Sequence, residues 1–76
     1  MNAYHHEILT SALEARIKEV TEYQVNITNF SLAIERIGDD PELQEFKANL
    51  QGLLASSTLE QRKAQIMLDV IQSQLE

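Results

Sequence analysis

The sequence has no cysteine and no tryptophan, and its 76 residues include one proline and two glycines. Without cysteine, neither a disulfide nor a cysteine-ligated zinc ion can stabilise a core this small. Well-packed helices and self-association are the remaining means of stabilisation. The lack of cysteine also fits a reducing compartment, and we expect a cytoplasmic protein.

Long hydrophobic runs and a basic leader are missing as well. No wholly apolar run is longer than three residues, so we expect no membrane-spanning segment. The first twenty residues lack the basic start and the apolar centre of a signal peptide. The tripeptides Asn26-Ile27-Thr28 and Asn29-Phe30-Ser31 are therefore interpreted as chance sequons and not as sugar acceptors.

The balance of charge is acidic, with a formal net charge of −6. This charge opposes binding to nucleic-acid phosphates and to anionic membrane surfaces. The six basic residues are scattered along the chain and form no cluster. We expect protein partners, and neither nucleic acid nor membrane.

Patterns that carry chemistry are also lacking. His5 and His6 are the only histidines, and adjacent helical residues point about 100° apart, so they cannot clamp one metal ion. The sequence contains no Glu-x-x-His motif of di-metal bundles and no glycine-rich phosphate loop. We expect no catalytic residue, no cofactor and no metal site, and therefore a protein that is not an enzyme.

A turn near the middle of the chain is the strongest local signal, and it reads GDDPE at 38–42. Gly38 suits the left-handed position just past a helix end. Asp40 is expected to cap the next helix, with Pro41 in its first turn. The turn leaves two arms of nearly equal length, which predicts an all-α fold, a long antiparallel helical hairpin.

A seven-residue repeat of apolar residues runs along the first arm and predicts a helix packed along one seam, as in a coiled coil. Its two positions hold His6, Leu13, Val20, Ile27 and Ile34, and Leu9, Arg16, Tyr23, Phe30 and Ile37. Arg16 interrupts the pattern, and we expect the neighbouring Ile17 to take over the packing there.

The second arm begins with an apolar stripe, Leu43, Phe46, Leu50 and Leu53. Ser57 followed by Glu60 then matches a capping box, which predicts a new helix start. We therefore favour a break near Ser56–Ser57, and the last helix would pack through Leu59, Ile66, Met67, Val70 and Ile71. The alternative is one continuous helix, whose repeat runs through Ser57, Ala64, Met67 and Ile71.

These patterns predict one domain over 1–76 with two to three helices. The expected elements are a helix over about 3–37, a turn over 38–41, a helix over about 41–55 and a helix over about 58–75.

Two stretches, 23–34 and 48–59, contain no charged residue, and we call them together the neutral belt. If the arms fold back about residues 39 and 40, position i faces about position 79 minus i, and the two stretches lie side by side. Exposed helix faces normally carry Glu and Lys, whereas small neutral polar groups suit burial against another helix. We interpret the belt as a contact zone with another chain, and the alternative is a solvated face.

A second copy is the expected partner at the belt, and it would complete a helical bundle as a homodimer. The residues expected at this protein interface are Tyr23, Asn26, Ile27, Phe30, Leu50, Leu53 and Leu54.

The sequence is compatible with two classes of function. The first is a small protein-binding regulator or inhibitor with an unidentified target, by analogy in size and composition with bacterial and phage accessory proteins. The second is a structural subunit or co-chaperone of a larger assembly. LAIERIGDDPELQEFKANLQ, residues 32–51, resembles the helix–turn–helix centre of type III secretion needle subunits, which also place a proline-containing polar turn between two helices. The resemblance is confined to this segment, because the arms beyond it differ from that family's ends.

Overall fold

The computed structural model describes residues 2–76, which form two α-helices joined by a turn. The first helix, α1, spans Ala3–Ile37, and the second, α2, spans Gln44–Leu75. The helices pack against each other as an antiparallel hairpin that measures 60 × 15 × 14 Å. The expected all-α hairpin is confirmed, and α1 coincides with the expected range.

Both ends of α1 are fixed by the residues that stand there. The Asn2 Oδ1 atom accepts a hydrogen bond of 2.8 Å from the backbone N–H of His5, which caps the first turn. At the other end, the N–H of Gly38 donates to the carbonyl oxygen of Ile34 at 3.2 Å. Gly38 has a φ of +52°, a conformation that residues with a Cβ rarely adopt, so the glycine allows the chain to leave the helix here.

The turn is longer than expected, because Asp40 stabilises the turn itself and not the start of α2. Its Oδ1 atom accepts from the backbone N–H of Glu42 at 3.0 Å. Gln44 donates to the carbonyl oxygen of Asp40 at 2.7 Å, and Lys47 Nζ donates to that of Gly38 at 2.9 Å. The expected turn over 38–41 and helix start at about 41 are therefore wrong, since α2 begins only at Gln44.

The expected break near Ser56–Ser57 is also wrong, because α2 is continuous through both residues. Ser57 is half-buried on the side of the helix that faces α1 and does not cap a new helix. The hydroxyl of Thr58 donates to the carbonyl oxygen of Leu54 at 2.8 Å, so this side chain is satisfied within the helix. Glu60, the expected partner of Ser57 in a capping box, instead lies beside Lys63.

The α1 side of the contact between the helices follows the predicted repeat. Its buried or half-buried members are Leu9, Leu13, Arg16, Val20, Tyr23, Ile27, Phe30, Ile34 and Ile37. His6 is exposed, and so is Ile17, so the expectation that Ile17 replaces Arg16 is wrong. Arg16 stays at the contact itself, because its aliphatic stem can pack there while its Nη2 atom reaches Glu19 Oε2 at 3.3 Å.

The α2 side of the contact uses a repeat that differs from the expected stripe. Its members are Lys47, Leu50, Leu54, Ser57, Gln61, Ala64, Leu68, Ile71 and Leu75, of which Leu50, Ala64 and Ile71 are buried. The expected packing positions Leu43, Phe46, Leu53, Leu59, Ile66, Met67 and Val70 are exposed instead.

The register of the two helices is marked by Gln61, whose Nε2 atom donates to the carbonyl oxygen of Val20 at 3.2 Å and to Gln24 Oε1 at 3.0 Å. The expected pairing would have placed Gln61 opposite Lys18. The observed register differs by a few residues because α2 begins later than expected.

The core between the helices is thin. The buried hydrophobic residues among 2–76 are Ile37, Leu50, Ala64 and Ile71. The accessible surface is 5641 Å², whereas a compact protein of this mass exposes about 4700 Å². The radius of gyration is 17.3 Å, compared with about 11 Å for a compact chain of this length. The hairpin therefore exposes about 900 Å² more than a compact monomer would.

Candidate functional site

The structure divides the seven residues expected at a protein interface into two groups. Five of them face the other helix of the hairpin, and these are Tyr23, Ile27, Phe30, Leu50 and Leu54. The remaining two, Asn26 and Leu53, are exposed. Most of the expected anchors thus already hold α1 and α2 together.

The two halves of the neutral belt lie side by side, despite the change of register. Lys47 donates a hydrogen bond to Gly38 at one end of the belt, and Gln61 donates one to Gln24 at the other. The helix segments between these two contacts contain nearly all of both uncharged stretches. The outward-facing polar residues of the belt, such as Asn26 and Gln51, are exposed in the hairpin.

A second apolar face of α2 is left uncovered by the hairpin. Its members are Phe46, Leu53, Leu59, Ile66, Met67 and Val70, and we call them the α2 strip. Each of these side chains is between 47% and 62% exposed. They occupy three neighbouring positions of the seven-residue repeat, which together span about 100° of the helix surface. Successive members are at most seven residues apart, so the strip is continuous over two thirds or more of α2.

Of this surface, sequence reasoning predicted only Leu53 at a protein interface, and the predicted break in α2 concealed most of the rest. The break allowed Leu59, Ile66, Met67 and Val70 to be assigned to the core of a separate third helix. Continuing the repeat of Leu50 and Leu54 through α2 would have placed all four outside the core, whereas the continuous alternative predicted from the sequence kept Met67 inside it.

One ion pair lies within the α2 strip. Lys63 Nζ is 3.0 Å from Glu60 Oε1, one turn along the helix. Between Leu53 and Val70, these two residues are the only charged ones at the strip's three positions of the repeat. The strip is therefore uncharged and mostly apolar on both sides of a single pair of opposite charges.

The outer face of α1 has a different character. The exposed large apolar residues of α1 are two separate pairs, Tyr4 with Ile8 and Val25 with Leu32, and the single residue Ile17 between them. Shallow depressions lie beside both pairs, and one of them is lined by Val25 with the polar residues Thr21, Gln24, Thr28 and Asn29. The segment between the two pairs carries the exposed ion pair of Lys18 with Glu22.

Residues 2–76 lack two further kinds of feature. No group of three or more acidic or histidine side chains in this range is placed to hold a metal ion. Neither helix, within the same range, is long and apolar enough to cross a membrane.

Comparisons with family models, with curated proteins and with solved structures find no significant match to this chain.

Proposed function

We propose that this chain is a small, non-enzymatic, cytoplasmic protein that binds another protein to regulate or inhibit it, and that it acts as a helical homodimer. The observation that carries this proposal is the α2 strip. A helix face exposed to water normally carries Glu and Lys, and a continuous exposed apolar row marks a surface that contacts another macromolecule.

The surface area supports a second copy as the occupant. The hairpin exposes about 900 Å² more than a compact monomer of its mass, and a stable protein–protein interface buries about 800 Å² on each partner. Burying this additional surface in a dimer would also add apolar contacts to a hairpin whose own core is small. Folding and association would then be coupled.

A dimer that covers α2 leaves the outer face of α1 for the regulated target. Val25 and Leu32 would be the apolar anchors on that face, and the neutral polar residues around Val25 would supply hydrogen bonds. The acidic groups of α1 and the turn would guide the approach of a partner with a basic surface.

The elongated shape favours one other candidate function, a structural subunit or co-chaperone of a larger assembly. A rod of 60 × 15 × 14 Å with apolar residues on two sides suits packing into a repeating array, like the type III secretion needle subunits that residues 32–51 resemble. The two functions differ in whether association closes at a fixed number of copies or continues.

Light scattering from micromolar to near-millimolar protein tests the proposal. A constant mass of about twice 8.7 kDa supports the closed dimer of a regulator. A mass that grows steadily with concentration favours the assembly subunit. A constant mass of 8.7 kDa contradicts the homodimer.

A further inference from the structure

We propose that the two copies associate strip against strip, so that α2 packs antiparallel on α2 of the second copy about a two-fold axis between Glu60 and Lys63. This inference rests on the proposed homodimer and names its face, its direction and its register. The proposed contact therefore lies on the α2 strip and not on belt residues that already pack within the hairpin, such as Phe30 and Leu54.

Three members of the strip, Leu53, Met67 and Val70, have counterparts placed symmetrically about the ion pair, whereas Phe46, Leu59 and Ile66 have no counterpart within the strip. Leu53 and Val70 lie seven residues outside Glu60 and Lys63 respectively. Ser56 and Met67 lie four residues outside the same two residues. In an antiparallel two-fold contact each residue meets its symmetric counterpart, so Leu53 meets Val70 of the second copy. The small Ser56 likewise meets the long Met67, which allows the two surfaces to interdigitate.

The charges support the same axis. Glu60 of each copy would lie against Lys63 of the other, so two Glu–Lys ion pairs would form between the subunits at the centre of the contact. Any register that placed Glu60 against Glu60 would bring like charges together at an interface, which is unfavourable. The charged pair thus selects one register along an otherwise uncharged surface.

The distribution of charge over the whole hairpin favours α2 as the contact helix and the antiparallel direction. α2 contains three acidic and three basic residues, whereas α1 contains five acidic and three basic ones, and the turn has three acidic ones and no basic one. An antiparallel contact centred between Glu60 and Lys63 separates the two acidic turns by about 50 Å, at 1.5 Å per residue. That distance is several times the screening length of about 8–10 Å, whereas a parallel contact would bring the turns together.

A matched pair of variants tests the face. Val70→Asp introduces a charge into the strip, and Val25→Asp introduces the same charge on the outer face of α1, at a site that is 54% exposed compared with 48% for Val70. We expect Val70→Asp to weaken the dimer about thirtyfold or more and Val25→Asp to leave it unchanged. Sedimentation equilibrium measures the dimer constant, and circular dichroism confirms that both variants stay helical.

A charge exchange tests the axis. Glu60→Lys and Lys63→Glu should each weaken the homodimer about tenfold, because each variant places like charges opposite one another twice. An equimolar mixture of the two variants should form a heterodimer, since every contact across the axis then joins opposite charges. A pair that acts only within its own helix predicts no recovery on mixing, because neither chain in the mixture has a Glu60–Lys63 pair of opposite charge.

The outcomes separate this inference from the proposed function. A wild-type dimer that Val70→Asp leaves intact, or one whose two charge variants fail to associate on mixing, overturns the strip contact and leaves the homodimer standing. A wild-type chain that stays monomeric, or that polymerises without limit, overturns both. Loss of the dimer in Val70→Asp alone, together with recovery on mixing, supports the contact as described.

Discussion

The two helices of this hairpin are nearly equal in length, but they distribute apolar residues differently. α1 has one continuous apolar row, which faces α2, and its outer face is interrupted between Ile8 and Val25 by the pair of Lys18 and Glu22. α2 has two continuous rows, one that faces α1 and the α2 strip that faces outward. A helix needs only one apolar row to pack in a hairpin, so the second row of α2 calls for a separate explanation.

Charge follows the same division. The acidic excess lies on α1, on the turn and at Glu76, whereas the acidic and basic residues of α2 balance. An excess of one charge keeps surfaces apart, and a balanced apolar surface can meet its own copy without repulsion. In the proposed homodimer, α2 is therefore the helix that contacts its own copy, and the outer face of the more acidic α1 stays free for a target.

The largest loss of stability is expected from a charge placed in the contact between α1 and α2. Phe30→Asp removes a half-buried aromatic ring from the contact and introduces a carboxylate there, which should cost about 3 kcal/mol or more. Because the core is thin, we expect poorly folded monomers with most of the helical signal lost in circular dichroism. An unchanged mass and helicity would show that the hairpin does not depend on this contact. Val25→Asp, on the outer face of the same helix, is the control.

A smaller effect is expected from shortening two leucines that are three residues apart on α2. Leu50 is 7% exposed and faces α1, whereas Leu53 is 51% exposed and belongs to the α2 strip. Leu50→Ala should lower the free energy of unfolding by about 2–4 kcal/mol at any protein concentration. Leu53→Ala should lower it by less than about 1 kcal/mol in dilute protein and by more when the protein is concentrated. Urea titrations at two protein concentrations measure both, and equal losses in the two variants would contradict the division of α2 into two rows.

The contrast between the helices also explains which parts of the fold could be predicted from sequence. The row of α1 was predicted almost completely, because the repeat from Leu9 to Ile37 is regular and one residue, Gly38, marks its end. Arg16 was misjudged because its long stem packs like an apolar side chain while its charge stays near Glu19.

α2 was predicted poorly because two apolar rows share one helix. Several overlapping repeats can be drawn through its leucines, and the sequence alone does not say which one faces α1. The polar members Ser57 and Gln61 fix that choice, Ser57 through its partial burial and Gln61 through hydrogen bonds to Val20 and Gln24, and a search for apolar periodicity passes over Gln61. The local capping signal at Ser57 was overridden by packing along the whole helix, as tertiary contacts commonly override local preference.

The smallest effect, opposite in sign, is expected at Gly52, which lies inside α2 at the strip position of the repeat that also holds Leu59. A Cβ added at Gly52 meets nothing within 4 Å, so Gly52→Ala should stabilise the hairpin by about 1 kcal/mol through helix propensity alone. In the proposed register Gly52 lies level with Ile71 of the second copy, which faces that copy's own α1, so the dimer should also tolerate the methyl group. A dimer weakened by Gly52→Ala would show that a second backbone approaches at this glycine, and the strip contact would then need a different register. Gly38→Ala is the control in thermal melts, and it should destabilise by about 1–2 kcal/mol because its φ of +52° strains any residue with a Cβ.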